Sequence, residues 1–209
     1  MNQQPTVRIA TLGPRGTNHE MVCKRYMAFH DVKSYEINFV VSFREAIAML
    51  RARSIDYILQ CAVHPETPQT LGENFRDVFA IDSFISDSQE LAILTRLDVT
   101  VPKTIGALLP ANEGYCDLTR WETKVSMKSL PLIFESLLAG EIDSGLVYRT
   151  YADKHPDKVR VEEVIGSPDD VWIVYGRTRA YNGKILGSRE SGFSRDLEIL
   201  RGEAARNRG

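Results

Sequence analysis

The stretch "VRIATLGPRGTNHEM", residues 7–21, passes from a short apolar run into two glycines, a proline and a helix-capping residue. Val7–Leu12 reads as a buried first strand. Asn18 can cap a helix whose Met21, Val22, Tyr26 and Phe29 fall close to helical spacing. A glycine turn between strand and helix sets backbone N–H groups at a positive helix end, which suits an anion. The same glycines also serve a tight turn that needs no ligand.

Working outward, "INFVV" (37–41) is rich in β-branched residues and reads as a second strand. Ser42 then caps "FREAIAMLRARS", where Phe43, Ala46, Ile47 and Leu50 share one face and Glu45 completes a capping box. "DYILQCAV" follows as a third strand, and this β-α-β-α-β order predicts a parallel or mixed sheet carrying helices. Two apolar runs, Phe79–Phe84 and Glu90–Thr95, follow a loop-like "PETPQTLGEN". A fresh start at "DVTVPKTIGALLP" then repeats the grammar, with a helix in "PLIFESLLAG" closed by Gly140, a strand in "SGLVYRT" and a late strand in "DVWIVYG". The expected fold class is α/β with two lobes and a cleft between them: residues 1–97 plus 168–178, residues 98–167, and a polar tail over 179–209.

Composition narrows the function classes. The chain has 209 residues, 43% hydrophobic and 26% charged, with 26 Lys+Arg against 28 Asp+Glu and a net charge of −2. Without a basic run, nucleic acid is not an expected partner. No apolar stretch approaches membrane-spanning length, and the first residues lack a signal-peptide pattern, so neither a membrane nor an exported location is expected. Cys23, Cys61 and Cys116 are scattered without metal-ligand spacing, which reads as a reduced, cytoplasmic chain without a metal.

The order of these pieces resembles the catalytic domain of prephenate dehydratases over roughly residues 7–176. The family's Gly-Pro-x-Gly-Thr turn is matched by Gly13-Pro14-Arg15-Gly16-Thr17. Its helix-Asp-Tyr-strand passage is matched by "RARSIDYILQCAV", and its late helix, acidic turn and strand by "LLAGEIDSGLVYRTYADKH". The departures are Cys61-Ala62-Val63-His64-Pro65, where the family runs into Pro-Ile-Glu-Asn-Ser, and Asp170-Val171-Trp172, where it carries Thr-Arg-Phe. A regulatory ACT domain is not expected. This pattern is closer to the non-aromatising prephenate decarboxylases of antibiotic pathways such as bacilysin. The resemblance implies a two-lobed fold like periplasmic-binding-protein type II, no cofactor, a homodimer and a small dicarboxylate substrate.

Such chemistry needs an anion clamp, an apolar slot for departing CO2 and a positioned acid. The clamp candidates are the backbone of Gly13, Pro14, Arg15, Gly16 and Thr17, the Thr17 hydroxyl, and the Arg15 and Arg149 side chains. Arginine is preferred to a neighbouring lysine because it grips carboxylates bidentately. Solvated surface charge is the other reading of both arginines. Ser126 and Ser129, in "VSMKSLP", either donate to a second carboxylate or cap the next helix. His64, at a strand end, is a candidate acid or a structural hydrogen-bonder, with His19 near the clamp. Asp170 replaces the family's Thr and orients a hydroxyl or simply closes a turn; Trp172 reads as part core, part pocket wall. Phe84 and Tyr115 are assigned to packing. The competing function is a non-catalytic two-lobed binder of small anions; a dehydratase giving phenylpyruvate is a second alternative, and Cys61 as a nucleophile a distant third.

Overall fold

The computed structural model describes residues 6–188 and 190–206. The chain divides after Arg179 into two compact units. The first holds ten strands in two five-stranded mixed sheets. The second contains one helix, α6 (Gly192–Arg206), where "SRDLEILRGEAAR" has its helical pattern. No described helix is long and apolar enough to cross a membrane.

In the first sheet β1 (Val7–Leu12) lies parallel to β2 (Tyr35–Val40) and β3 (Tyr57–Cys61). Strand β10 (Asp169–Gly176) runs antiparallel between β3 and the edge strand β4 (Phe79–Asp87), giving the order β2-β1-β3-β10-β4. Neighbouring residues on one strand serve opposite faces, as strand geometry requires. Ile9, Leu59 and Trp172 pack under α1 (Asn18–Phe29) with Val22 and Met27. Ala10, Ile58 and Tyr175 pack under α2 (Phe43–Arg51) with Phe43 and Leu50. Covering both faces explains why these strands read as continuous apolar runs. Ser42 caps α2 as its sequence suggests, accepting the Glu45 N–H at 3.3 Å, while the Glu45 carboxylate takes the Val41 N–H at 3.0 Å. A short helix, α3 (Thr67–Gly72), leads to β4.

The second sheet repeats the plan. β6 (Thr104–Ala107) is parallel to β7 (Thr123–Ser126) and β8 (Ser144–Tyr148), and β5 (Leu91–Arg96) runs antiparallel between β8 and β9 (Val159–Gly166). Its helix α4 (Leu130–Ala139) buries Ile133, Phe134 and Leu137 and ends at Gly140, whose φ of +78° makes the left-handed cap. A single turn, α5 (Thr150–Lys154), follows β8.

Each sheet thus receives one antiparallel strand from the other half of the chain. The lobe boundary expected after residue 97 falls instead between β4 and β5, so β5 belongs to the second lobe. Its apolar run completes that sheet, where Ile93 and Leu94 are fully buried. The crossings β4–β5 and β9–β10 lie side by side: the Ser88 N–H donates to the Pro168 carbonyl at 2.9 Å, and the Ser167 hydroxyl donates to the Ser88 carbonyl.

Candidate functional site

Parallel strands deliver the helices that follow them to one end of each sheet, and in this chain both ends face one cleft. The cleft holds a cavity of about 300 Å³, the size of a small organic ligand. One wall carries Thr17, Asn18 and His19 from the start of α1; the opposite wall carries Lys128, Ser129 and Leu130 from the start of α4. Leu12, Leu91, Leu108 and Met127 supply apolar surface between them. A wider hollow of about 650 Å³ at Arg8, Asp56 and Arg177 is a different kind of place. There Arg8 grips Asp56 through both side-chain oxygens, and Arg177 donates to the Leu50 and Ile55 carbonyls, so the charges satisfy one another.

The glycine turn does not cradle a ligand as its sequence suggests. The Gly13 N–H continues the sheet to the Val40 carbonyl at 3.0 Å, and the Gly16 N–H is taken at 2.6 Å by the carboxylate of Glu20. Gly16, at φ +83°, bends the chain so that this side chain reaches back. Pro14, Arg15 and Gly16 lie outside the cavity lining, which only Gly13 and Thr17 of the turn reach. Thr17 occupies the N-cap position, but its hydroxyl donates to the Pro14 carbonyl at 3.1 Å rather than capping. Arg15 is an exposed side chain lying over the Phe39 ring, with Glu20 3.7 Å away. Asn18, expected as the cap, is the first helical residue, and its side-chain oxygen accepts the Gln89 N–H at 2.9 Å.

Four of the other expected residues, His19, His64, Asp170 and Trp172, meet on the first-lobe wall. The His19 ring stands edge-on to Trp172 with centroids 5.0 Å apart, and His64 lies 6.4 Å away. Among the described residues, nothing partners the buried Nε2 of His19 or the buried indole N–H of Trp172. Burial, reinforced by the neighbouring His64, pushes His19 down to about 3. His64 is likewise lowered by burial. Its Nδ1 accepts the Glu66 N–H at 3.2 Å, so the neutral ring carries its proton on Nε2. Burial thus favours the neutral form of both imidazoles, which works against a cationic acid at His64. Asp170 lines the same wall and accepts the Ser88 hydroxyl, so a crossing segment orients it. Cys61 is beside it; burial, with the Asp170 charge adding to it, raises the thiol to about 11, which disposes of a thiolate nucleophile.

The second lobe differs more from expectation. Ser129 is both cap and wall: it accepts the Leu132 N–H at 3.4 Å and lines the cavity. Ser126 is exposed, outside the lining, and donates to the Leu109 carbonyl at 3.5 Å. Arg149 also lies outside, paired with Glu90 at 3.4 Å and Asp153 at 3.3 Å. The cation on the cavity wall is instead Lys128, one residue before the α4 cap, and Tyr115 lines the wall rather than the core. Tyr148, at the end of β8, reaches across the cleft and accepts the Asn18 N–H at 2.9 Å. Among the described residues no three His, Cys, Asp or Glu side chains converge as a metal ion would need.

No protein-family model matches the chain, and no curated protein matches it. Solved structures do. Prephenate dehydratase from Arthrobacter aurescens, in complex with L-Phe, is similar with a TM-score of 0.62 at 17% identity, over 96% of this chain and 73% of that one. The periplasmic VFT2 domain of BvgS from Bordetella pertussis is similar with a TM-score of 0.51 at 14% identity, over 82% of this chain and 80% of that one. GqqA, described as a novel type of quorum quenching acylase, gives 0.52 at 11% identity, over 86% of this chain and 66% of that one. Names this diverse on one architecture leave the chemistry to the site. The chain has the two-lobed α/β fold shared by periplasmic-binding-protein domains and a prephenate dehydratase.

Proposed function

We propose that the chain is a lyase acting on a small cyclohexadienyl dicarboxylate of the prephenate type, favouring loss of CO2 without aromatisation, as in antibiotic pathways. One observation carries this reading: the starts of α1 and α4, one from each lobe, face a single cavity whose largely apolar wall also carries His19, His64, Asp170 and Trp172. The positive end of α4, with Lys128 beside it, suits one carboxylate. At α1 the Gly16 and Asn18 N–H groups are held by Glu20 and Tyr148, so a second carboxylate there meets the helix dipole without those two donors.

The same wall favours decarboxylation over dehydration. A dehydratase must protonate the departing ring hydroxyl, and neutral imidazoles are poor acids for that task. The Asp170 carboxylate opposes a substrate carboxylate beside it, and loss of CO2 removes one of the two charges. Trp172, Leu108 and Met127 offer the departing group an apolar surface.

The test is incubation with prephenate while CO2 and products are followed. The expected outcome is CO2 release with a non-aromatic keto acid. Phenylpyruvate would restore dehydration. Saturable binding without turnover would favour a small-anion binder, a reading supported by the likeness to a periplasmic domain and by the Tyr148–Asn18 bridge that holds the lobes together.

A further inference from the structure

Decarboxylation that leaves the ring non-aromatic must end by placing a proton on carbon, and the cavity wall is where its donor must stand. His19 and His64 are neutral, and the His64 Nδ1 is occupied by a backbone N–H. Cys61 is a buried thiol on the cavity wall. Among the hydroxyls of that wall, the one held by a main-chain amide of the opposite lobe is that of Tyr148. The residue is only 3% exposed, lines the cavity and stands at the end of β8. Its oxygen accepts the main-chain N–H of Asn18, the first residue of α1. Among the described residues, no group accepts the hydroxyl's own proton, which leaves the O–H free to donate to a ligand in the cavity that Tyr148 lines.

We infer that Tyr148 is the catalytic proton donor to the ring carbon, a role that rests on the lyase reading above. As the bond to CO2 breaks, its electron pair moves through the adjacent ring double bond to the far carbon. There a C–H bond forms with the proton of the Tyr148 hydroxyl, and the phenolate left behind recovers a proton from water. The Asn18 N–H at 2.9 Å, at the positive end of α1, stabilises the transient phenolate as an oxyanion hole does. Burial raises the phenol above its ordinary range, so it remains protonated at neutral pH. A weak acid of this kind gives its proton to a strongly basic carbon and not to a departing hydroxyl, which matches the non-aromatic outcome.

Tyr148→Phe keeps the ring and removes only the hydroxyl. With prephenate, kcat is expected to fall by about a hundredfold or more while KM stays within a few-fold. The wild-type kcat should also carry a solvent deuterium isotope effect. A variant with kcat intact but raised KM and lowered Tm would make Tyr148 a structural tie between lobes and overturn the donor role alone. If the variant fails to fold, 3-fluorotyrosine at position 148 replaces it. Its more acidic phenol should move the alkaline limb of kcat to lower pH, and an unmoved limb overturns the role. Wild-type protein that leaves prephenate untouched removes the lyase reading, one that forms phenylpyruvate removes its non-aromatising form, and either takes this step with it.

Discussion

The carboxylate of Glu20 holds the main-chain N–H of Gly16 at 2.6 Å, closing the glycine turn on itself from the first turn of the helix that follows. Lys24 lies 2.8 Å from the same side chain and Arg15 3.7 Å. An anion does sit at this turn, and it is the chain's own.

Glu20→Ala is therefore expected to cost about 1–2 kcal/mol of stability, the scale of a lost cap and a charge-assisted hydrogen bond. Urea unfolding would measure it. Lys24 and the Gly16 N–H hold the Glu20 carboxyl below its usual range. Its contribution is therefore complete above the ordinary carboxylate pKa and fades as pH falls through the lowered one. Affinity for prephenate should stay within twofold. A variant of unchanged stability and lost affinity would return the ligand to the turn.

Lys128 carries the cavity's positive side chain, whereas Arg15 and Arg149 are engaged elsewhere. Lys128→Gln should weaken prephenate binding about fivefold at low salt, a partly solvated contact worth roughly 1 kcal/mol. The loss should shrink at high salt. Arg15→Gln and Arg149→Gln serve as controls, each expected within twofold of wild type by titration calorimetry. A larger loss from either arginine would reject this division of labour.

What could be read from sequence divides along the range of the interactions. The Ser42–Glu45 cap, the Gly140 terminator and the apolar strands depend on residues a few positions apart, and they are legible. The run "ELAILT" has an unbroken apolar centre, Leu91–Leu94, so no local feature tells which sheet β5 joins; the exchange of strands between halves decides that. At the site, the turn motif points to the right end of the sheet. Its Gly16 amide is filled by a side chain whose rotamer no motif encodes. Lys128 and Tyr148 go unnoticed because cavity membership depends on contacts between distant segments, 130 positions apart for Tyr148 and Asn18. One signal was present: Tyr148 ends β8 as Cys61 ends β3, so the repeated plan sends both strand ends to the cleft.

His19 gives the fold a pH dependence. With its pKa pushed down to about 3, the unfolded chain binds a proton that the folded chain refuses at any pH between that value and the ordinary 6.5. Stability is therefore at its plateau above about pH 6.5 and declines as pH falls toward 3, with His64 acting in the same direction. The wild type is expected to lose on the order of 3 kcal/mol between pH 7 and pH 4 through His19, at about 1.4 kcal/mol per unit. His19→Asn should flatten that slope. Equal slopes in urea unfolding at the two pH values would show that the imidazole is not held neutral.

Asp170 lines the cavity and accepts the Ser88 hydroxyl, which belongs to the crossing between lobes. Asp170→Asn preserves the shape and leaves an amide oxygen to accept from Ser88, so it removes the charge and little else. A dicarboxylate should then bind about fivefold tighter, a like-charge repulsion of roughly 1 kcal/mol relieved. The rate of CO2 loss should fall, because the relief otherwise felt on leaving the ground state has gone. Tighter binding with slower turnover is a pairing that a purely structural aspartate does not give. Weaker binding would instead mean that the ligand offers Asp170 a positive group or a hydrogen-bond donor, and the occupant of the cleft would be a zwitterion such as an amino acid rather than a dianion.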